Sequence, residues 1–420
     1  MTSSGSSSTG SDRLLIRELA QVVTPSVETP PARRRLLREV RVIEDAFVLC
    51  EEGRIAAVGS MRELPRLDVD DVEELDGRGF SAIPGLVDCH THACFASDRV
   101  EEFALRAQGA TYEELHAAGG GILATVEATR AAGEVGLAAA LARHRGWMLH
   151  AGTTTFECKS GYGLDRETEL LQLGVIRNAG GVPTWLGAHA LAPEFADAGT
   201  DAYLDFLLTE VLPEASRIAE ATDVFVERGA FDVDQARRYL TACAQAGLTL
   251  RLHGDQFTEM GAVTLAVELG ARSVDHLEAT GAYGIAALAK SDVTAVLLPA
   301  SALFLNRPMP PARALVDAGA AIALATDFNP GSAFCESLPL VCALACTQLG
   351  LSPEEALVAV TVNAAHVLSR ADRKGRIAAG YDADVILLAA EDWRYVAYHL
   401  AGPVVHTVVQ GGRIARRSPA

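Results

Sequence analysis

The sequence predicts an α/β fold, in which a TIM (β/α)8-type barrel is joined to a small β-sandwich-like domain formed from both chain termini. Three observations lead to this prediction. First, about eight short apolar segments alternate with helical segments rich in Ala and Leu, as in a barrel. Second, strand-like segments lie near both ends of the chain, outside this alternating region. Third, polar residues follow several of the apolar segments, where a barrel places its active site.

The outer segments of the chain suggest its division into domains. Residues 2–11 consist of Ser, Thr and Gly and lack the apolar core of a signal peptide. We therefore expect residues 1–32 to be a disordered or tail segment. We expect residues 33–80 and 375–420 to form the two parts of the small β domain, and residues 81–374 to form the barrel. The strand candidates of the small domain are 39–59, 384–388 and 406–414.

The central region predicts the eight strands of the barrel. The candidates are Ile83–Cys89, Thr153–Cys158, Pro183–Gly187, Val224–Val226, Leu248–Leu252, Ser273–Asp275, Ala295–Leu298 and Ala321–Ala325. A doubly wound open sheet is the alternative fold for such a pattern. It would keep the first and last strands apart and would leave Asp327 far from His90, whereas a barrel brings them together.

Composition limits the classes of partner. The 420 residues carry 36 Lys and Arg against 54 Asp and Glu, a formal charge of -18, so we expect no nucleic-acid partner. No uncharged apolar run reaches the roughly 18 residues that span a bilayer, so we expect no membrane partner. The eight cysteines lack zinc-finger spacing and predict reduced thiols in the cytoplasm. A small-molecule substrate and a possible homodimer are the expected partners.

Four residues at strand ends predict a metal site. His90 and His92 follow the first barrel strand one residue apart, so their side chains point the same way. His253 and Asp327 follow two later strands, and a barrel brings all four to one mouth. Three imidazoles and one carboxylate suit Zn²⁺, Fe²⁺ or Mn²⁺ better than Ca²⁺ or Mg²⁺. Asp327 can also hold a water molecule and take its proton.

Two further strand-end residues bear on the number of ions. A carbamylated lysine at a barrel mouth could bridge two metals, and Lys159 closes the second strand. Glu227, at the end of the fourth strand, could bind a second ion, so two ions are not excluded. The sequence favours one ion.

Several longer motifs surround these residues and narrow the interpretation. They are His90-Thr91-His92, Arg99–Phe103 with Leu105–Glu114, Lys159–Leu164, Leu186–Ala190 and Thr326–Ser332. Together with His253 and His276, these motifs resemble those of the amidohydrolase superfamily and, within it, the imidazolonepropionases of histidine degradation. The resemblance runs from about residue 40 to the C-terminus.

The resemblance implies a role for each matching residue. It implies one Zn or Fe ion held by His90, His92, His253 and Asp327. It implies that His276, together with Asp327, is catalytic. The implied substrate contacts are Arg99, Tyr162, His189, Gln256, Asn329, Gly331 and Ser332.

The implied reaction is hydrolysis of the cyclic amide bond of 4-imidazolone-5-propanoate to N-formimidoyl-L-glutamate by a metal-activated water, with Arg99 binding the propanoate. Two alternatives remain at this point. One is another cyclic-amidine hydrolase or deaminase on the same barrel. The other is a non-catalytic barrel that acts as an assembly protein.

Overall fold

The computed structural model describes residues 12–65, 72–109 and 121–418. The strands in these ranges are β1 (Arg13–Pro25), β2 (Val40–Glu51), β3 (Arg54–Ser60), β4 (Glu73–Asp76), β5 (Ser81–Pro84), β6 (Leu86–Asp88), β7 (Thr153–Lys159), β8 (Val182–Ala188), β9 (Ala221–Val226), β10 (Thr249–Gly254), β11 (Ser273–His276), β12 (Thr294–Leu297), β13 (Ala321–Leu324), β14 (Val385–Leu388), β15 (Val405–Gln410) and β16 (Arg413–Arg417).

The α-helices of the same ranges lie mainly between the barrel strands. They are α1 (Val100–Ala107), α2 (Ile122–His150), α3 (Arg166–Asn178), α4 (Gly199–Phe206), α5 (Leu212–Ala215), α6 (Val233–Gln245), α7 (Ala262–Leu269), α8 (Ala282–Leu288), α9 (Pro299–Phe304), α10 (Ala312–Ala318), α11 (Leu338–Thr347), α12 (Pro353–Ala359), α13 (Val362–Val367) and α14 (Tyr395–Tyr398). Helix α2 is kinked at Gly133, whose backbone leaves the helical region. No described helix is both long and apolar enough to cross a membrane.

Strands from both ends of the chain form one eight-stranded sheet. Its order is β16-β15-β14-β5-β1-β2-β3, with β4 paired to β1. The side chains of Leu14 and Ile16 from the N-terminal part pack in the same buried cluster as Val385 and Leu387 from the C-terminal part. Both parts therefore share one core, which confirms the prediction of a separate β unit built from both termini. The exact domain boundaries stay a prediction.

The expectation of a tail over residues 1–32 is wrong for residues 13–25. These residues form β1, which pairs antiparallel with β2 and parallel with β4 and β5. The physical reason is burial: Leu14, Ile16 and Leu19 are at most 2% exposed, so this strand gains apolar contacts that a Ser- and Gly-rich segment cannot make. Residues 1–11 lie outside the described ranges.

The barrel consists of eight parallel strands in the order β13-β12-β11-β10-β9-β8-β7-β6. Its seam lies between β13 and β6, which are joined at their C-terminal ends. The backbone N–H of Asp327 donates to His90 O at 3.0 Å, and that of His92 donates to Phe328 O at 3.0 Å. The buried carboxylate of Asp88 accepts from both the N–H and the hydroxyl of Thr326, at 3.2 and 2.6 Å. These contacts confirm the barrel over the open sheet.

The first predicted barrel strand, Ile83–Cys89, is two strands in the structure. β5 belongs to the terminal sheet and β6 to the barrel, and Gly85 lies between them. A Cβ atom on Gly85 would lie 2.2 Å from the Thr154 hydroxyl oxygen, so only glycine lets the chain pass from one sheet to the other here. The continuous apolar run hides this break from sequence reasoning.

Candidate active site

The carboxyl ends of the barrel strands surround one cavity of about 380 Å³. Every predicted site residue except His90 lines it, and His90 is fully buried beside His92. The lining residues are His92, Arg99, Glu102, Arg106, Gly121, Ile122, Tyr162, His189, Phe225, His253, Gln256, Phe257, His276, Leu305, Asp327, Asn329, Gly331 and Ser332. The structure thus brings the predicted metal and substrate residues together, as the TIM-barrel prediction requires.

Three histidines and one aspartate converge beside the cavity. Asp327 Oδ1 lies 3.5 Å from Nε2 of His90 and 3.5 Å from Nε2 of His92. Nε2 of His253 lies 3.3 Å from Nε2 of His92. Nε2 of His90 is buried and has no hydrogen-bond partner among the described residues. One unpartnered imidazole nitrogen, two further imidazoles and a shared carboxylate fit the donor set of a divalent ion.

Two buried carboxylates orient these imidazoles from behind. Asp275 Oδ2 lies 2.5 Å from Nδ1 of His90, and Asp223 Oδ1 lies 3.0 Å from Nδ1 of His253. Each carboxylate accepts the Nδ1 proton and so leaves the Nε2 lone pair free to bind a metal. Burial lowers the pKa of His90 and His253, which keeps the rings neutral as metal binding requires.

Lys159 and Glu227, the two residues considered for a second ion, both contact protein groups. The Lys159 ammonium lies 2.7 Å from Glu157 Oε1 and 2.9 Å from Asp223 Oδ2, all three side chains being fully buried. Burial alone would lower the pKa of Lys159, but Glu157 and Asp223 raise it above the usual range. Glu227 accepts backbone N–H groups from Phe257 and Thr258, both at 3.0 Å. Lys159 therefore acts as a buried counter-ion, and Glu227 holds the loop after β10.

His276 lies at the end of β11, against the same histidines. Its ligand nitrogen and those of His90 and His253 all lie within 4.8 Å of one another, so it is close enough to the cluster to compete as a ligand. Its backbone has φ 83°, an unusual conformation for a residue with a side chain. Burial would lower the pKa of His276, but Glu278 and Asp327 raise it above the ordinary value. Its catalytic role stays a prediction.

The turn after β13 fixes Asp327. The Asn329 side chain donates to Asp327 O at 2.6 Å and accepts the N–H groups of Gly331 and Ser332 at 2.8 and 2.7 Å. The Ser332 hydroxyl donates to Asp327 Oδ2 at 3.3 Å. The Asn329 amide is therefore used within the turn, and its predicted substrate contact is not tested by this geometry.

Tyr162 and His189 form the wall beside the histidine–aspartate cluster. Their ring centroids are 5.5 Å apart, and the His189 ring stacks on His92 at 5.4 Å. Nδ1 of His189 lies 2.9 Å from Gly161 O, and this contact turns the other ring nitrogen away from the loop. Burial, followed by the nearby His253, lowers the pKa of His189 to about 3, so this ring stays neutral.

The loop that carries Tyr162 is held by a carboxylate that sequence reasoning missed. Glu169 Oε1 accepts N–H groups from Gly161, Gly163 and Leu164 at 2.9 to 3.0 Å, and the side chain is fully buried. Burial raises the pKa of Glu169 to about 7, although these hydrogen bonds oppose the shift. The eight-residue spacing from Gly161 gives no sequence signal for this contact.

Arg99 approaches the cavity from the start of α1. Its Nε donates to the Thr125 hydroxyl at 3.0 Å. A Cβ atom on Gly331 would lie 2.4 Å from Arg99 Nη1, so the glycine leaves room for the guanidinium. Gln256 lies on the cavity wall and is 8% exposed. The part of the Leu105–Glu114 motif beyond Gly109 lies outside the described residues.

Sequence reasoning also missed Arg106, Phe257 and Leu305, which line the cavity. Arg106 follows Arg99 by seven residues, a spacing that places both on one face of a helix, and this signal was present in the sequence. The two apolar residues carry no such signal, because a solitary Phe or Leu in a loop is common.

Comparison with known proteins identifies the family. The model of the amidohydrolase family matches residues 81–414. An imidazolonepropionase from Rubrobacter xylanophilus is 58% identical over 95% of this chain and 97% of its own length. An imidazolonepropionase from Chloroflexus aggregans is 46% identical over 96% of this chain and 98% of its own length.

Solved structures show the same fold at low identity. An adenosine deaminase from Xanthomonas campestris with bound zinc aligns with a TM-score of 0.69 and 19% identity, over 96% of this chain and 92% of its own. A triazine hydrolase variant aligns with a TM-score of 0.71 and 18% identity, over 96% and 94%. The histidine–aspartate cluster, taken with the family match, supports a bound divalent metal. The chain belongs to the amidohydrolase family and, within it, to the imidazolonepropionases, and it is a hydrolase of carbon–nitrogen bonds.

Proposed function

We propose that this enzyme opens the ring of 4-imidazolone-5-propanoate to give N-formimidoyl-L-glutamate in histidine degradation. The observation that carries the proposal is one cavity that combines the histidine–aspartate cluster with the guanidinium of Arg99. The cluster suits hydrolysis of a cyclic amide, and the guanidinium suits a carboxylate tail. The relatives named imidazolonepropionase, which match nearly the whole chain, support the same substrate.

The proposed ligands of one divalent ion are His90, His92, His253 and Asp327. Their donor atoms, three imidazole nitrogens and a carboxylate oxygen, suit Zn²⁺ and Fe²⁺ equally. When bound, such an ion lowers the pKa of a water molecule toward about 7 and polarises the substrate carbonyl. Asp275 and Asp223 orient two of the rings for this purpose.

Asp327 would transfer protons, and His276 would stabilise the negative charge that develops on the carbonyl oxygen. Asp327 has Oδ1 beside the imidazoles and Oδ2 beside Ser332, so it can orient the attacking water and take its proton. The same carboxyl would return the proton to the ring nitrogen as the carbon–nitrogen bond breaks. His276 would donate to the carbonyl oxygen while negative charge develops there.

The remaining predicted residues would bind the substrate. Arg99 would pair with the propanoate, and Tyr162 and His189 would pack against the ring. Gln256 offers a donor and an acceptor to the ring but cannot act as a base, because an amide does not take a proton at neutral pH. The turn residues Asn329, Gly331 and Ser332 would close the wall near the ion.

We further propose a cytoplasmic location. The eight cysteines all lie in the described ranges and are free thiols. A reducing compartment suits such a chain. The possible homodimer stays a prediction.

The test is turnover by metal-loaded protein. Loss of the ring chromophore of 4-imidazolone-5-propanoate should be rapid with Zn or Fe and absent after chelation. A panel of aminopurines and cyclic amidines without a carboxylate should react at least about a hundredfold more slowly, since they lack the group that Arg99 binds. Faster turnover of an aminopurine than of the imidazolone would replace this proposal with a deaminase.

A further inference from the structure

Helix α1 presents one charged face to the cavity. Arg99 immediately precedes the helix, and Glu102 and Arg106 follow it by three and seven residues, a spacing that aligns side chains along one side of a helix. All three residues line the cavity. The helix therefore contributes two cations and one anion to the same wall.

The anion on this face, Glu102, contacts Gly121 and Arg99. Glu102 Oε2 accepts the N–H of Gly121 at 2.8 Å, and it lies 3.9 Å from Arg99 Nη1. Arg106 forms no ion pair within 4.0 Å with any described residue; its Nη1 donates to Gly331 O at 3.3 Å, and its guanidinium lies over the Phe304 ring at 5.0 Å. The Arg106 guanidinium thus has no described carboxylate of the cavity wall within 4.0 Å.

Both guanidiniums approach the same glycine. A Cβ atom on Gly331 would lie 2.4 Å from Arg99 Nη1, and the carbonyl oxygen of Gly331 accepts from Arg106 Nη1. The two cations therefore flank one residue at the wall of the cavity. Two neighbouring cations repel each other, and an anion placed between them relieves the repulsion.

We infer that Arg106 is a second specificity-determining residue, which binds the carboxylate tail of the substrate together with Arg99. This inference rests on the proposed function and adds a residue to its tail-binding wall. A carboxylate has about four acceptor positions, more than one guanidinium edge fills, so a second arginine can donate to the same group. With Arg106 in place, a ligand with a neutral tail would therefore bind more weakly than one with a carboxylate tail.

The competing explanation is structural, since Arg106 also holds the Gly331 turn through one hydrogen bond. The two roles are separated by the tail of the substrate. A turn-holding role affects every substrate alike, whereas a carboxylate-binding role affects only charged tails. The experiment therefore compares the propanoate substrate with its propanamide analogue.

We would measure kcat and KM of Arg106→Met and Arg106→Lys on both compounds. For the propanoate, Arg106→Met should raise KM about tenfold or more, and Arg106→Lys should raise it less because the charge remains. For the propanamide, KM should change less than twofold, with metal content unchanged. Arg307→Met is the matched control, because Arg307 lies 5.3 Å over the Phe257 ring but does not line the cavity.

A double variant, Arg99→Met with Arg106→Met, adds a second criterion. If both arginines bind one carboxylate, their effects on KM for the propanoate should not be additive. Equal losses on propanoate and propanamide, or an unchanged KM for the propanoate, would overturn the inference. In either case turnover of the propanoate by the wild-type enzyme would still support the proposed function, and its absence would refute that proposal separately.

Discussion

The inner and outer halves of the cavity are built differently. The inner half, defined here as His92, His253, His276 and Asp327 together with His90 buried behind them, lies at strand ends and is at most 4% exposed. The outer half, defined as Arg99, Arg106, Phe257 and Leu305, lies on α1 and on loops, and Phe257 is 41% exposed.

The difference lies in how the side chains are supported. In the inner half, His90 and His253 each have a buried carboxylate behind the ring. In the outer half, Arg99 donates to the Thr125 hydroxyl and Arg106 donates to Gly331 O, and no described carboxylate lies within 3.5 Å of either guanidinium. Chemistry requires fixed geometry, whereas recognition of a flexible tail tolerates adjustment. We therefore expect inner substitutions to change metal content or kcat and outer substitutions to change KM.

The largest effect is expected for the proposed metal ligands. Asp327→Ala or His92→Ala should retain the fold, lose the ion and abolish turnover, since each removes a proposed ligand from a buried cluster. Metal analysis and circular dichroism measure the two properties separately. Full activity in a chelated, metal-free protein would contradict the proposed mechanism.

The second effect concerns His276. His276→Ala should keep the ion but reduce kcat by about a hundredfold or more, the usual scale for a positioned acid or oxyanion donor. Because its ligand nitrogen belongs to the same cluster as those of His90 and His253, the alternative is a ligand role. Loss of the metal from His276→Ala would establish that alternative.

The third effect tests the outer half through Arg99. Arg99→Lys and Arg99→Met should each raise KM for the propanoate about tenfold or more with unchanged metal content, because lysine cannot reproduce the two-pronged contact. The KM for an analogue without the carboxylate should hardly change in either variant. Equal losses on the two compounds would instead place Arg99 among the residues that support the fold or the ion.

The smallest effect concerns Glu169, which holds the loop between the two halves. Its pKa in the folded protein is raised to about 7 by burial, so its ionisation costs stability as pH rises from about 4.5 through 7, by about 3 kcal/mol at most. Glu169→Gln stays neutral, so its free energy of unfolding relative to wild type should improve between pH 5 and pH 8. Urea unfolding at several pH values measures this difference.

Glu167→Gln is the control for that measurement, because Glu167 lies on the same helix and is exposed. Its free energy of unfolding should stay within about 0.5 kcal/mol of that of the wild type, as for most exposed substitutions. A wild-type protein that gains stability over Glu169→Gln as pH rises would mean that the three backbone N–H groups outweigh the cost of burying the charge.

The sequence predicted most residues of the inner half but not the buried carboxylates that orient its histidine rings. His90, His92, His253 and Asp327 follow apolar segments, and strand ends of a barrel meet at one mouth, so local pattern and topology sufficed. Asp223 and Asp275 lie inside strands, where a single carboxylate has no periodic signal. Only the folded barrel shows that they face the rings of residues 30 and 185 positions away in the chain.

By itself, the sequence determined the alternation of strands and helices, the positions of the strand-end histidines and aspartate, and the family motifs, because these depend on local order along the chain. Tertiary structure alone decided that Arg13–Pro25 is a strand of the terminal sheet, that Asp88 joins Thr326 across the seam, and that Arg106 shares Gly331 with Arg99. These features depend on contacts between distant segments, whose energies arise only when burial brings the partners together.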